Sequence, residues 1–428
     1  MDDAEGVQML DRRFQLGLVR QPEGQMVQAG AVLVEPVRAD RAQPDQRAAQ
    51  VVDHPSVEEC QRFPGRGVGT GGQLDQHGPA EHALVELPGT FDIGDGEPHV
   101  RDRCGRDRHD AILAAGVHAR IREVQVGMTM PVMEPDLDAA VLKRWATIID
   151  DGPFSSLCWG ERIAFDNPDA LTLLGALSAW TDRVRLVTTV LVPQLHDPVL
   201  LAKGLATGDV LSGGRLTVGL GVGGRREDYL AAGADPATQT MRQMADRVAV
   251  MRRVWNAEKV TDSVLPVGPA PVQPGGPELW VGTLGPKTVR SAATWAAGLA
   301  GTTLDLDVAK QNELFEVART AWAQAGRPAP HLATSFWFAL GDQDTARHQI
   351  HRHLRRYMNW IPAEYVDAMA PHTGWAGTED DLADVLDRFA EIGADEVHLI
   401  PTSSDIGQVR AVAEVVQTRA GASPKVTE

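Results

Sequence analysis

From about residue 122 onward, short apolar runs alternate with amphipathic stretches eight times, and this rhythm restricts the fold more than any other feature. The runs are REVQVGMTMPV (122–132), SSLCWG (155–160), VRLVTTV (184–190), RLTVGLG (215–221), PELWVGT (277–283), GLAGTT (298–303), HLATSFWFAL (331–340) and DEVHLIPT (395–402). Most are continuously apolar rather than alternating, as expected of parallel strands covered on both faces. Helical patterns with readable ends lie between them. Asp136 to Asp150 carries Leu137, Val141, Trp145 and Ile148 at helical spacing. Asn167-Pro168 and Asp197-Pro198 each read as a cap followed by a first-turn proline. Gly213-Gly214 ends the second of these helices, and Thr378 and Gly393 bracket a later one. A charged helix to about Met358 follows the seventh run, and residues 359–376 then break the rhythm and read as an insertion. Eight strand–helix units predict an α/β fold, a (β/α)8 TIM barrel. An open doubly wound sheet usually has fewer units. Barrel chemistry sits in the loops that follow the strands, so the search for function starts there.

Charge and cysteine usage narrow the partners. Lys and Arg total 41 and Asp and Glu 58 over 428 residues, a formal net charge of −17. A cationic surface for nucleic acid is not expected from that balance. Cys60, Cys104 and Cys158 are far apart in no ligand spacing, which fits a reducing compartment and argues against a disulfide framework or a cysteine zinc site. No apolar run reaches the roughly 18–20 residues of a membrane helix, and no signal peptide opens the chain. A soluble, cytoplasmic protein is the expectation.

The first 120 residues differ from the rest. All ten tryptophans, all three tyrosines and all six lysines follow residue 127, whereas residues 1–127 hold 14 Arg and 21 Asp or Glu. Stretches such as GRGVGTGGQLDQHG sustain no period. Such composition is poor core material. Residues 1–120 therefore read as a disordered extension or as a non-native one, upstream DNA translated from too early a start. The barrel is expected over 121–428. Met128 is no natural beginning, because it would cut the first strand in half.

Several loops carry candidate chemistry. Glu161 and Arg162 follow the second run and are the catalytic candidates, against a plain surface ion pair. Arg162 stays protonated and so could hold an anionic or carbonyl group but not act as a base. Thr188 and Thr189 end the third run with small side chains that would let a flat ligand approach, although threonine also simply suits strands. His196 precedes the Asp197-Pro198 helix start and reads as a packing and capping residue. GLGVGGRRED (219–228) fits no dinucleotide fingerprint, but its glycines permit close approach of a ring. GTLGPKT (282–288) places free backbone amides, Thr283, Thr288 and Lys287 at a helix start, which suits a phosphate; the alternative is a capped turn with a solvent-facing lysine. His351-Arg352-His353 is no metal pair, because residues two apart on a helix point in nearly opposite directions, and no metal is expected. Asn359, Trp360, His372, Gly374 and Trp375 give the insertion an aromatic character that suits a substrate wall or an oligomer contact.

The stretches DGPFSSLCWGER, LGALSAWTDRVRLVTTVLVPQLHDPVLLAKGLATGDVLSGGRLTVGLGVGG and PELWVGTLGPKTVRSAATWAAGLAG, in that order, resemble the bacterial luciferase-like monooxygenases. That superfamily includes FMN-dependent monooxygenases and oxidoreductases that use the deazaflavin coenzyme F-420. The resemblance spans about residues 121–417. It implies a flavin-type ring at the C-terminal mouth of the barrel. A backbone kink behind the ring, often a non-proline cis peptide, would fall at Thr189–Val190. Gly221 and Gly223 would line the ring or its side chain, and the phosphate would sit on the turn of Gly282, Thr283, Gly285 and Lys287. Two departures stand out: some deazaflavin dehydrogenases carry a histidine where this chain has Arg162 and an acid where it has Gly224. Glucose-6-phosphate chemistry is therefore doubtful. The expectation is an oxidoreductase or monooxygenase acting on a small organic substrate with FMN or F-420, leaning to the deazaflavin. A separate flavin or deazaflavin reductase and a homodimer partner go with it. The other reading is a flavin-binding barrel without catalysis.

Overall fold

The computed structural model describes residues 123–262, 265–283 and 285–422, together with an antiparallel pairing of Val19–Arg20 with Met26–Val27. The extension expected over residues 1–120 otherwise lies outside the described residues.

Eight parallel strands close on themselves. In chain order the strands are β1 (Gln125–Thr129), β2 (Ser156–Trp159), β3 (Arg185–Leu191), β4 (Leu216–Leu220), β5 (Glu278–Val281), β6 (Gly298–Ala300), β7 (His331–Leu340), β8 (Trp375–Gly377) and β9 (Glu396–Pro401). Each strand from β1 to β7 pairs with the next, β7 pairs with β9, and β9 pairs with β1 to complete the ring. The short β8 stands outside this count. It pairs with Phe338 to Leu340 of β7, beyond the Leu332 and Ala333 level where β6 ends, and so continues the edge that β6 leaves free.

Eight helices form the outer layer: α1 (Ala139–Asp151), α2 (Ala170–Trp180), α3 (Pro198–Leu211), α5 (Met241–Trp255), α6 (Pro286–Ala292), α7 (Val308–Gln324), α10 (Glu379–Glu391) and α11 (Ile406–Ala422); the short α4 (Arg226–Ala231) lies in the connection between β4 and α5. Their ends follow the capping chemistry. Asp197 accepts the amides of Val199 and Leu200, with Pro198 in the first turn, and Gly213 and Gly214 then take positive φ just past α3. Thr378 and Asp381 form a reciprocal capping box at α10. At α2 the cap is Asp169, which accepts the Thr172 amide at 2.7 Å, and not Asn167. Pro168 thus lies ahead of the helix. The barrel helices bury one face each, and the main core between sheet and helices includes Trp145, Trp322, Phe315, Phe336 and Phe389.

Helix α8 (Gln343–Tyr357) is not one of the outer eight. Gln349 reaches Thr402 Oγ1, Arg352 reaches Thr402 O and Glu134, Arg356 reaches Met133 O, and Arg162 reaches Tyr357 O. Thr402, Met133–Glu134 and Arg162 follow the C-terminal ends of β9, β1 and β2. The helix therefore crosses the mouth over three successive loops. With α9 (Ala363–Met369) it encloses a second core of Trp337, Ala339, Ile350, Leu354, Met358 and Val366. The inserted structure thus begins right after β7, at 341, rather than at 359, and α10 takes the ring position that α8 was expected to fill. Helix periodicity is the same whether the buried face meets a barrel wall or a rim, so the pattern could not separate the two.

The N-terminal end of the barrel is closed by polar groups. Glu396 is fully buried at the start of β9, with Arg185, Ser155, Ser156 and His331 on its carboxylate. Burial pushes its pKa up, but His398, His331 and Arg185 outweigh that and hold it well below the ordinary carboxylate value. Trp280 stacks on His331 with ring centres 4.4 Å apart, above this layer. Cys158, Val187, Trp280, Ala300 and Ala333 fill the next layer. No helix among the described residues is long and apolar enough to cross a membrane.

Candidate active site at the barrel mouth

The end of β3 is the most irregular piece of the barrel. The Thr189–Val190 peptide is cis, where the resemblance placed a kink. The register between β3 and β4 shifts between Thr188 and Leu191. Thr189 and Val190 are half-buried, whereas Thr188 is 1 % exposed and donates to Gly219 O at 3.0 Å. Thr188 thus belongs to the sheet interior, and the exposed surface of the kink is Thr189 and Val190.

Two glycines give the kink its seat. A Cβ on Gly221 would lie 2.7 Å from Val190 Cγ2, and one on Gly282 would lie 2.5 Å from Val190 Cγ1. Real Cβ atoms do not approach that closely, so the Val190 side chain occupies the space that these glycines leave. Gly221 thus acts on the kink through Val190. Gly223 has φ +68°, a conformation that suits glycine, and a Cβ there would lie 3.2 Å from Val192.

Glu161, named above as a catalytic candidate, is engaged within the protein. Its side chain is 2 % exposed, Oε2 accepts the Val192 amide at 2.8 Å, and Oε1 faces His196 Nε2 at 2.7 Å. Both oxygens are engaged, so Glu161 pins the chain just past the kink. Burial lowers the His196 pKa, but the hydrogen bond and charge of Glu161 more than reverse this, and the net shift is upward.

Arg162 is drawn into the cap. It is 6 % exposed, its Nη1 donates to Tyr357 O at 2.8 Å, and its Cζ lies 4.0 Å from the Phe165 ring centre. Tyr357 also receives Arg225, whose Nη2 donates to its hydroxyl at 2.7 Å. A second polar pair lies under α8: His353 Nδ1 meets Glu134 Oε1 at 2.6 Å, both nearly buried. The neighbouring His351 turns to Asp367 at 2.6 Å, so the two histidines of the 351–353 triplet take separate partners. Among the described residues no group of three His, Cys, Asp or Glu side chains is arranged to hold a metal ion. Glu134 and Arg225 lie in the loops after β1 and β4, and Tyr357 is brought beside them only by the crossing of α8.

The anion turn is the least settled part of the constellation. Gly285 caps the short helix α6, and its amide donates to Thr283 Oγ1 at 3.1 Å. Gly282 and Thr283 are half-buried and Lys287 is exposed. One of the donors expected for a phosphate is thus already partnered by Thr283. The side chain of Lys287 is open to solvent beside the turn.

A closed (β/α)8 barrel with a cis kink ending its third strand and a helical cap over its mouth defines the class. Residues 124–396 match the sequence profile of the luciferase-like monooxygenases, and the chain belongs to that family. It is similar to an uncharacterised protein of Mycobacterium tuberculosis (strain H37Rv), 36% identical over 167 residues, which are 37% of this chain and 57% of the relative. It is also similar to the F-420-dependent glucose-6-phosphate dehydrogenase of Microbacterium testaceum, 29% identical over 209 residues, 46% of this chain and 59% of that enzyme. The chain thus spans somewhat over half the length of these relatives. Among solved structures, an F-420-dependent secondary alcohol dehydrogenase superimposes with a TM-score of 0.58 at 17% identity, over 68% of this chain and 98% of that one. The oxygenating constituent of 3,6-diketocamphane monooxygenase of Pseudomonas putida, in complex with FMN, gives 0.55 at 15% identity, over 69% and 99%. These likenesses speak to the fold. Family membership supports an oxidoreductase.

Proposed function

We propose that this chain binds a flavin-type ring, FMN or the deazaflavin F-420, against Thr189 and Val190 and uses it to oxidise or reduce a small organic substrate. The observation that carries the reading is the half-buried cis kink, with Val190 seated on Gly221 and Gly282. An apolar shelf of that kind suits one face of a planar ring. Gly282, Thr283, Gly285 and Lys287 would hold the phosphate, as the resemblance suggests. Such a cofactor supplies hydride transfer or oxygen activation when bound, and the protein orients both reactants. The chain's own contribution is positional. Glu161 and His196 fix the segment behind the kink, the 343–377 cap limits water at the mouth, and Arg162 and Arg225 offer cations beside the cap. F-420 is the favoured ring, because the one curated relative of named function noted above depends on it. Glucose 6-phosphate is not the favoured substrate, because Arg162 and Gly224 stand where a histidine and an acid would be required. A separate reductase would renew the reduced cofactor.

The assembly we infer is a homodimer. Leu200 and Leu211 on α3 are 68 % and 58 % exposed. They lie eleven residues apart, three helical turns, and so share a face that a second copy would cover.

Purified protein tested with each cofactor decides the function. Saturable quenching of F-420 or FMN fluorescence, with turnover on a panel of alcohols, ketones and aldehydes, is expected. Binding without any turnover would favour the non-catalytic barrel, a reading supported by the lack of a histidine after β2. Binding of neither ring would reject both.

A further inference from the structure

Arg162 and Arg225 share one aromatic box beside the mouth. The Trp360 ring centre lies 5.0 Å from Arg162 Cζ and 4.3 Å from Arg225 Cζ, with Phe165 and Tyr357 completing the walls. Asp228 is the carboxylate in contact with this pair, and it is largely engaged elsewhere, while the exposed Glu227 adds only a nearby charge. Asp228 Oδ1 accepts the amides of Ile163 and Ala164 at 3.0 and 2.8 Å, and Oδ2 stands 3.5 Å from Arg225 Nη1. The other contact to Arg162 from a side-chain oxygen, Asn359 Oδ1 to Nη2, is long at 3.4 Å. The Nε atoms of both arginines are buried with no hydrogen-bond partner.

Arg162 is buried and Arg225 half-buried, and the one carboxylate paired closely here, Asp228, leaves the two guanidinium groups with an excess of positive charge. Unpaired buried charge costs several kcal/mol, and like charges add to that. Burial first, and then Arg225, lower the Arg162 pKa to about 10. Holding residues 357–360 in place would need only one of these guanidinium groups. A second guanidinium so placed suits an anionic ligand group. Guanidinium forks match carboxylate geometry, and the rings accept a flat apolar body.

We propose that Arg162 and Arg225 form the anion-binding end of the substrate site and that the substrate is a small organic carboxylate with a planar apolar body. The carboxylate takes the Nη2 edge of Arg162 that the long Asn359 contact now spans, and Arg225 supplies the second cation. This rests on the oxidoreductase reading, since it names the substrate class for that mouth. The cofactor's acidic tail has the same chemistry as the proposed ligand, so the test separates the two.

The full chain, with and without saturating F-420 or FMN, is titrated with sodium benzoate, benzyl alcohol and inorganic phosphate while tryptophan fluorescence and Tm are followed. Benzoate is expected to give a saturable change in at least one of these states, and benzyl alcohol and phosphate none. Arg225→Gln and Arg162→Lys are each expected to weaken benzoate about tenfold or more, the size of one lost charge-assisted contact. Arg226→Gln, at an exposed neighbour, should match the parent. Cofactor affinity should be unchanged in Arg225→Gln. If that variant does not fold by circular dichroism, Arg225→Lys makes the same comparison. Equal responses to benzoate and benzyl alcohol, no response to benzoate in any state, or undiminished benzoate binding in the folded Arg225 variant would overturn the proposal. So would a variant that loses F-420 but keeps the tail-less deazaflavin, which would assign the arginines to the cofactor. Benzoate binding without any cofactor binding would remove only the oxidoreductase reading.

Discussion

Replacing Glu161 tests the support behind the kink. Glu161→Ala leaves the Val192 amide and the His196 ring without their partner, in a place where the carboxylate is 2 % exposed. Each unsatisfied group costs about 1–3 kcal/mol, and losing one member of a buried pair costs roughly 3–5 kcal/mol in total. Glu161→Gln can still accept from Val192 and donate to a neutral His196, so its cost is about 1–2 kcal/mol. The dependence on pH identifies the mechanism. The His196 pKa is raised in the folded protein, with Glu161 outweighing burial. A raised folded pKa contributes stability that is complete below the unfolded value, about 6.5, and is lost as pH rises through the folded value. Urea unfolding of the parent and both variants at about pH 6 and about pH 9 reads this directly. The gap between parent and Glu161→Gln should be wide at the lower pH and narrow at the higher. A gap equal at both pH values, or an alanine variant that costs under about 1 kcal/mol, would refute the assignment of Glu161 as a pin.

The other expectations concern packing, the barrel floor and assembly. Gly221→Val drives a side chain into Val190, and overpacking of this kind costs about 1–3 kcal/mol; urea unfolding should show the loss, and fluorescence titration should show weaker cofactor binding. Glu396→Gln should cost roughly 3–5 kcal/mol in the same unfolding assay, because Arg185 is left without its buried counter-charge. In the parent, the Glu396 pKa is held low, so its contribution is present above the ordinary carboxylate value and is lost as pH falls through the folded one. Leu200→Glu with Leu211→Glu should convert a dimer to a monomer by light scattering after gel filtration; an unchanged mass would remove the α3 face as the contact.

The barrel was legible because its signals are local. Asp197-Pro198 and Thr378 announce their helices within three residues, and the strands stand out as unbroken apolar runs. Asn167 was misread because Asp169, two residues on, is an equally good cap and is the one that the helix uses. The cap over the mouth was not legible. Its amphipathic pattern resembles that of a barrel helix, and what distinguishes α8 is contact with Glu134, Thr402 and Arg162, far away in sequence. The candidate site divides in the same way. The kink could be placed at Thr189–Val190 through the family resemblance. The purpose of Gly221 and Gly282 could not, because it depends on the side chain of Val190 lying between two other strands. The position after β2 marks Glu161, but nothing local reveals that Val192 and His196 engage both of its oxygens.

Crystals of the full chain soaked separately with F-420 and with FMN give the most direct test of where the redox chemistry occurs. The account predicts, for at least one of them, a planar ring at the C-terminal mouth with one face against Val190 and its phosphate beside Thr283 and Gly285. A ring bound anywhere else on the molecule, with the Val190 face left to solvent, would contradict it.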